Sequence, residues 1–195
     1  MVVCCLFVML LACRERATEQ PVPEIPLAEF REGDLVFRRG TGAASLAVLM
    51  LDPGRYSHVG IVVRQGDSLV VAHAVPYESN DGIDRAKTES VADFFRPEHA
   101  REGVLVRCAD STVARQAAAK ALELADRGVL FDFQYNCKDT TQFYCTEFVY
   151  FAYICFERDL TQGKRSRIPT TGGRRDTILP SDILRSDSIK VIWSF

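Results

Sequence analysis

The sequence predicts an α+β domain whose antiparallel β-sheet packs against helices. Short segments rich in Val, Ile and Leu have strand length, and two longer helical segments follow four of them instead of alternating with them. The predicted strands are residues 34–39, 58–64, 68–75, 103–108 and 188–195. A chain of 195 residues can bury a substantial core without disulfides or a structural metal.

The clearest local signal is a β-hairpin. Residues 58–64 (HVGIVVR) and 68–75 (SLVVAHAV) are both apolar, and the sequence QGD between them is typical of a tight turn. We therefore expect two adjacent antiparallel strands. The polar stretch 77–90 that follows is predicted to be a loop, and residues 90–95 are predicted to form a short helix.

Two helices are predicted in the second half of the chain. Asp110 and Ser111 are N-cap residue types, alanines and leucines then recur at helical spacing over 112–126, and Gly128 ends the helix. The segment 143–157 is apolar on nearly all faces, which is typical of a buried helix.

Two other segments have weaker signals. Residues 45–51 are apolar and are predicted to form one or two helical turns. Residues 161–177 carry five Lys or Arg side chains among Pro and Gly, and are predicted to be a basic loop. This loop is either a solvated surface segment or a lid that contacts an anion beside a cleft.

Composition excludes several classes of protein. Charged residues make up 26% of the chain and hydrophobic residues 47%, which excludes intrinsic disorder. The formal net charge is −2, and without a basic excess we expect no nucleic-acid partner. The seven cysteines show no C-x-x-C pair, so we expect mostly free thiols and at most one disulfide bridge.

The N-terminus predicts an export signal. Residues 1–12 contain no charged side chain, but they fall short of the roughly 20 apolar residues that span a bilayer. The run ends in LLA before Cys13, which resembles the bacterial lipobox whose cysteine is lipidated. We expect a leader over 1–13, a tether over 14–26 and one folded domain over 27–195. The protein would then be lipid-anchored on the periplasmic side of the bacterial cell envelope; a cytoplasmic location is the alternative.

Three side chains have the types needed for nucleophilic catalysis. Cys145 lies at the start of the predicted buried helix, where partial positive charge and free N–H groups stabilise a thiolate or an oxyanion. His58 and His73 lie on the two strands of the predicted hairpin, within side-chain reach of each other. These residues suggest a cysteine nucleophile, a base and an orienting group. A buried structural cysteine and a zinc site formed by all three are the alternatives.

Short motifs around these residues identify a family resemblance. They are GDLVF at 33–37, SHVGIV at 57–62, FDF at 131–133, YCTEFV at 144–149 and LPSD at 179–182. In this order they resemble the permuted papain-like amidases, the YiiX/YaeF group of the NlpC-type cysteine peptidases. The resemblance implies a circularly permuted papain-like fold, with an antiparallel sheet or barrel against helices.

The resemblance also assigns roles to residues. It implies that Cys145 is the nucleophile, that His58 is the general base, and that His73 takes the place of the third polar residue. Three further residues are expected near the substrate or the oxyanion: Tyr56, Tyr144 and Glu147. No metal and no other cofactor is implied.

The implied function is amide-bond hydrolysis through a thioester acyl-enzyme, on cell-wall peptides or related amides. A lipid acyltransferase or esterase of the lecithin–retinol acyltransferase type is an alternative, and so is a binding module without turnover. The expected partners are a peptide, amide or lipid substrate and, through Cys13, a membrane. We expect a monomer.

Overall fold

The computed structural model describes residues 23–79, 81–137, 139–170 and 172–195. The predicted leader with Cys13, and most of the predicted tether, lie outside the described residues. Within the described part, one curled eight-stranded sheet packs against α-helices, which confirms the predicted α+β class.

Most strands belong to one antiparallel sheet. The strands are β1 Leu35–Arg39, β2 His58–Gln65, β3 Ser68–Val75, β4 Arg85–Ser90, β5 Glu102–Cys108, β6 Leu130–Phe131, β7 Gln142–Phe143, β8 Ser166–Thr170, β9 Gly173–Thr177 and β10 Ile189–Ser194. The order in the large sheet is β10-β5-β1-β2-β3-β4-β6-β7. Its pairs are antiparallel apart from β6 with β7, which is parallel.

In the described part, five α-helices lie between the strands, and the ends of the longest helix follow the sequence signals. The helices are α1 Ala43–Leu51, α2 Val91–Phe94, α3 Ser111–Asp126, α4 Cys145–Ile154 and α5 Pro180–Leu184, with a short 3-10 helix at Leu27–Glu29. The side chain of Asp110 accepts hydrogen bonds from the N–H groups of Thr112 and Val113, and so caps α3. Gly128, with φ of 59°, follows the end of α3. Among the helices that the structure describes, none is both long and apolar enough to cross a membrane.

The central strands are buried on both faces. Val59, Ile61 and Ala72 pack in the core with α3 and α4. Val62 and Val71 point to the opposite face and pack in a second core that contains residues of α2. Burial on both faces explains why β2 and β3 are nearly continuous apolar runs in the sequence.

The prediction of a loop over 77–90 is wrong, because Arg85–Ser90 is strand β4. Its sequence, RAKTES, has a single apolar residue, Ala86, and therefore lacks the strand signal. The strand is held by its ladder with β3, while the side chains of Lys87 and Glu89 form ion pairs. Backbone pairing on an existing sheet thus overrides weak local propensity.

Two other boundaries differ from the prediction. The apolar segment 143–157 does not start as a helix, since Phe143 pairs with Phe131 in the sheet and the helix begins at Cys145. The predicted basic loop 161–177 contains the two-stranded hairpin of β8 and β9. Its arginines are exposed along a ribbon, and they carried no strand signal in the sequence.

Candidate active site

Neighbouring strands carry a row of polar side chains across one face of the sheet. Arg38 on β1 is paired with His58 at the start of β2, and His73 on β3 is paired with Lys87 on β4. Glu89 lies two residues further along β4. Side chains alternate between the two faces of a strand. The strand neighbours of these residues pack with α3 and α4, so the row itself lies on the opposite face, which α2 covers.

The two imidazoles of the row are in direct contact. Nε2 of His58 and Nδ1 of His73 lie 2.8 Å apart, and both rings are buried. Both also pack against the ring of Phe94, at centroid distances of 5.8 Å and 5.4 Å. Gly60 makes room for this arrangement, since a Cβ there would meet Cγ1 of Val71 at 2.4 Å and Cβ of His73 at 3.2 Å. The hairpin that sequence analysis predicted therefore brings the two histidines together.

Glu89 lies on the far side of His73. Its Oε1 is 3.2 Å from Nε2 of His73, and its Oε2 is 3.1 Å from Nζ of Lys87. Burial would raise the pKa of this carboxyl, but its interactions with His73, Lys87 and Arg38 outweigh burial and lower the pKa. Glu89 is therefore a carboxylate at neutral pH.

Arg38 is the buried cation of the row. It donates to the carbonyl oxygen of Phe94 at 3.0 Å, forms an ion pair with Glu78, and lies with its guanidinium carbon 4.7 Å from the centre of the Phe94 ring. The charge of this guanidinium also acts on His58. Burial lowers the pKa of His58 well below 6.5, and the charge of Arg38 lowers it further. Burial lowers the pKa of His73 as well.

Cys145 is the first residue of α4. Tyr144 before it has extended backbone, so the chain turns from β7 directly into the helix and leaves Cys145 in the first turn. The hydroxyl of Thr146 donates to the carbonyl oxygen of Ile178 at 2.6 Å, which holds this turn against the segment before α5. The four cysteines in the described residues, Cys108, Cys137, Cys145 and Cys155, are all free thiols.

The thiol of Cys145 is buried, and this changes its expected charge state. Burial raises its pKa to about 11, and the N–H groups of Val59 and Thr146 together with Arg38 offset only part of that rise. Burial thus opposes the stabilisation of a thiolate that the helix start provides, and it favours the neutral thiol. A thiol beside a neutral imidazole can react when the imidazole accepts its proton during the attack.

Cys145 and His58 line one cavity of about 380 Å³. Its remaining walls come from the start of α1, the segment after β3, the residues before β5 and the segment after β6. Tyr77 and Tyr135 line it with φ angles of 62° and 52°, a left-handed backbone that is strained for a side-chain-bearing residue. Asp84 stabilises the first of these by accepting the N–H of Tyr77 at 2.7 Å.

The prediction that Tyr144 lies near the substrate stays a prediction. Its side chain does not line the described cavity, but its ring packs against the lining residue Tyr135, at 5.2 Å between ring centres. Its buried hydroxyl is bonded to the hydroxyl of Thr177 and accepts from the N–H of Ile178, each at 2.9 Å. The same oxygen lies 2.9 Å from Sγ of Cys137. Tyr144 therefore fixes the segment between β9 and α5 against the start of α4.

Tyr56 and Glu147 also do not line the described cavity, and their predicted place near the substrate or the oxyanion stays a prediction. Tyr56 is half-buried and packs against Phe37, at 6.2 Å between ring centres. Glu147 is buried in the first turn of α4, where burial raises its pKa to about 8 and the N–H of Tyr144 partly opposes that rise. The Glu147 carboxyl accepts the N–H of Tyr144, the N-cap residue of α4, and so helps to cap this helix.

Sequence analysis missed several polar residues of the site. Arg38, Glu78 and His99 line the cavity, and Glu89 contacts His73 behind it. Arg38 lies within a predicted strand. A charged residue next to the apolar residues of that strand was the signal that could have marked it as part of the site. Glu78 and Glu89 were hidden in the stretch predicted to be a loop.

One group of side chains has metal-ligand spacing within the described residues. Ligand atoms of Glu78, Glu89 and His99 lie within 4.8 Å of one another. However, Arg38 and Lys87 already form ion pairs with these carboxylates, so a divalent cation would face two positive charges. This group does not fit a metal well. The predicted alternative of a zinc site at Cys145, His58 and His73 is not among the groups found in the described residues.

The basic hairpin of β8 and β9 contributes no residue to the cavity walls described here. Arg175 donates to the carbonyl oxygen of Gln134, next to the cavity residue Tyr135. The hairpin thus supports the segment after β6 from outside.

Comparison with known proteins agrees with this architecture. A model of the family described as "Permuted papain-like amidase enzyme, YaeF/YiiX, C92 family" matches residues 29–192. A solved structure described as the metalloprotein yiiX from Escherichia coli O157:H7 is similar, with a TM-score of 0.70 and 15% sequence identity. The alignment covers 85% of this chain and 97% of that one. At this identity the likeness shows the fold. Comparison with curated proteins gave no match.

Proposed function

The chain belongs to the permuted papain-like amidase family of cysteine peptidase-like hydrolases, and we propose that Cys145 is its nucleophile and that it cleaves amide bonds through a thioester. The observation that carries this proposal is the shared cavity of Cys145 and His58, with His58 held through Nε2 by His73 at 2.8 Å. Because Nε2 is engaged, Nδ1 is the ring nitrogen that remains for the thiol.

In the first half of the reaction, Nδ1 of His58 accepts the thiol proton while sulfur attacks the carbonyl carbon of the substrate. The C–S bond forms and the carbonyl oxygen becomes an oxyanion, which the free N–H groups at the start of α4 stabilise. The imidazolium of His58 then donates its proton to the leaving nitrogen. The C–N bond breaks and leaves the acyl group on Cys145 as a thioester.

The second half releases the acyl group. Water attacks the thioester carbonyl while His58 again accepts a proton, and the C–S bond breaks with return of that proton to sulfur. The products are a carboxylic acid and the regenerated thiol. The low pKa of His58 suits this cycle, because the imidazole is neutral at the start of each half.

We propose cell-wall peptides or related amides as the substrate class. The cavity combines apolar side chains such as Val48 and Phe131 with charged ones, Arg38, Glu78 and Glu98. Such a mixed lining suits a short peptide that has both carboxylate and amino groups more than a purely apolar chain.

The test is incubation with peptidoglycan fragments, followed by mass spectrometry of the products. We expect a new amine and a new acid, with one oxygen of the acid derived from labelled water. Cys145→Ala should give neither product. Turnover by Cys145→Ala equal to that of the unsubstituted protein would contradict the proposal.

A second candidate is a lipid acyltransferase or esterase, and α1 is the observation that favours it. The helix flanks the cavity, consists of apolar residues apart from Ser45, and has no buried residue in the described structure. Met50 is 86% exposed and Leu46 58%. An apolar surface of this kind beside a cavity suits a lipid-water interface. Incubation with phospholipid vesicles distinguishes the candidates, because a transferase would place the acyl group on an added amine or alcohol acceptor.

The similar solved structure, yiiX, is described as a metalloprotein, but no metal enters the mechanism proposed for this chain. The residues with metal-ligand spacing do not fit a divalent cation, as their carboxylates are already paired with Arg38 and Lys87. We expect hydrolysis of the peptidoglycan fragments to be unchanged by EDTA. Loss of turnover with EDTA and recovery with one added metal would contradict this expectation.

The proposed location is the bacterial cell envelope, with Cys13 as the lipid-anchored residue. The support is the uncharged run 1–12 that precedes it and the tether sequence that follows. One acyl chain binds a membrane weakly, whereas several chains hold a protein stably. Intact mass of the protein from its native host should show an acylated Cys13 as the first residue. An unmodified Met1 would contradict the anchor.

A further inference from the structure

The row of polar side chains continues beyond the two histidines to a carboxylate. Oε1 of Glu89 lies 3.2 Å from Nε2 of His73, on the side of the ring opposite to the 2.8 Å contact with His58. The two atoms form an ion pair by distance, and neither has a hydrogen-bond partner of standard geometry in the described structure. Each ring nitrogen of His73 therefore faces one group, Glu89 or His58.

This arrangement restricts where the protons can lie. A carboxylate only accepts, so Nε2 of His73 must carry a proton for a favourable contact with Glu89. In a neutral imidazole, Nδ1 of His73 then has a lone pair and accepts from Nε2–H of His58. The proton of neutral His58 is consequently on Nε2, and its Nδ1 has a lone pair.

We propose that Glu89 is a positioning residue that sets the tautomers of His73 and His58, so that Nδ1 of His58 is ready to accept the proton of Cys145. This inference rests on the proposed function of the same site. Without the carboxylate, the hydrogen bond between the two rings can also run the other way, with Nδ1–H of His73 donating to Nε2 of His58. His58 would then carry its proton on Nδ1 and could not act as the base.

A purely structural role is the competing explanation, because Glu89 also pairs with Lys87 at 3.1 Å and approaches Arg38 at 3.7 Å. Glu78 provides a matched control. It forms ion pairs with the same two cations, and its carboxylate has no contact with His73 in the described structure. A Glu→Gln change at position 78 or 89 therefore removes one negative charge from the same pair of cations. Only the change at 89 alters the partner of His73.

The experiment measures the tautomers directly, by long-range ¹H–¹⁵N NMR of the full chain labelled at its three histidines. In the unsubstituted protein we expect His58 and His73 to be protonated at Nε2 and unprotonated at Nδ1. Glu89→Gln should populate the opposite tautomer of both rings, and Glu78→Gln should leave both unchanged. Protonation of His58 at Nδ1 in the unsubstituted protein would overturn the inference, whether or not Glu89→Gln folds.

The kinetic readout is acylation of Cys145 by 4-nitrophenyl acetate, with Cys145→Ala as the background to subtract. Glu89→Gln should slow acylation by roughly tenfold to a hundredfold, by analogy with the loss seen when the hydrogen-bond partner of a metal-bound histidine is removed. Unchanged tautomers and an unchanged rate in folded Glu89→Gln would show that Glu89 is structural. A rate in Cys145→Ala equal to that of the unsubstituted protein would instead refute the proposed nucleophile, and the NMR result would still decide the role of Glu89.

Discussion

The two walls of the cavity are built in opposite ways. The wall formed by the sheet is polar and buried. Arg38 and His58 line it, His73 lies behind them, and each of the three has a named partner in β3, in β4 or in the segment between these strands. The wall formed by α1 is apolar and has no buried residue in the described structure. The sheet wall holds polar groups in fixed positions, whereas α1 exposes an apolar surface.

The difference follows from how each wall is attached. Strands β1 to β4 share a continuous ladder, so a side chain on any of them is positioned by its neighbours. By contrast, α1 is held at its end, where the carboxylate of Asp52 accepts the N–H of Ser181 at 2.9 Å. Residues that must be placed accurately for proton transfer are on the rigid element, as preorganised catalysis requires.

The largest expected effect comes from removing the two reacting groups, His58 in the polar wall and Cys145 at the start of α4. Cys145→Ala should reduce acylation by 4-nitrophenyl acetate to background, because the nucleophile is lost. His58→Ala should slow it by about a hundredfold or more, the usual loss for a general base. Thermal unfolding is measured in parallel. A folded His58→Ala protein with an unchanged rate would remove His58 from the site.

A smaller effect is expected one step further into this wall. His73→Ala should slow acylation by roughly tenfold to a hundredfold, since His58 loses the group that holds its ring. His73→Glu should recover little, because Glu89 would lie beside the new carboxylate and repel it. The double variant His73→Glu with Glu89→Gln should recover more than His73→Glu alone. Equal rates for the single and double variants would contradict the repulsion argument.

The pH dependence of Cys145 alkylation tests whether the thiol of Cys145 and the imidazole of His58 are both neutral in the resting protein. Because burial raises the thiol pKa to about 11, the thiolate fraction grows with pH through the neutral and alkaline range. Alkylation by iodoacetamide should therefore speed up by about tenfold per pH unit below that pKa. Exposed Cys155 would react as well, so the measurement uses a Cys155→Ser background. A rate that is level between pH 5 and 8 would instead indicate a thiolate–imidazolium pair.

The smallest effect is expected on the stability of the apolar wall. Leu46→Ser and Met50→Ser should change the free energy of unfolding by about 0.5 kcal/mol or less, because both side chains are exposed. Phe37→Ala in buried β1 is the contrast and should cost about 3–5 kcal/mol. Urea denaturation measures all three. A loss above about 2 kcal/mol at Met50 would mean that another part of the protein covers α1.

Sequence patterns were sufficient where the signal is local. The hairpin of β2 and β3 was predicted from apolar runs and one turn, and helix α3 was predicted from its N-cap and its terminal glycine. The motifs around His58 and Cys145 predicted the family, which the match over residues 29–192 confirms. The catalytic roles of these residues remain predictions.

Strand β4 could not be predicted, because its polar sequence is stable only through pairing with β3. Its residue Glu89 was lost from the predicted site for the same reason. Tyr144 and Glu147 were placed near the substrate because they are adjacent to Cys145 in sequence. On a helix start, however, neighbouring side chains point in different directions. The hydroxyl of Tyr144 accepts from the N–H of Ile178, and neither Tyr144 nor Glu147 lines the described cavity.

By itself, the sequence determined the fold class, the order of most elements and the candidate thiol and imidazole, since these depend on residue type and spacing along the chain. Only the tertiary structure decided that His73 contacts both His58 and Glu89, that Cys145 is buried, which raises the pKa of its thiol, and that α1 has no buried residue in the described part. The physical reason is that partners, burial and charge state depend on groups from β1, β3, β4 and α4 that are distant in sequence. Strand register and helix packing bring these groups together, and no local pattern encodes their contacts.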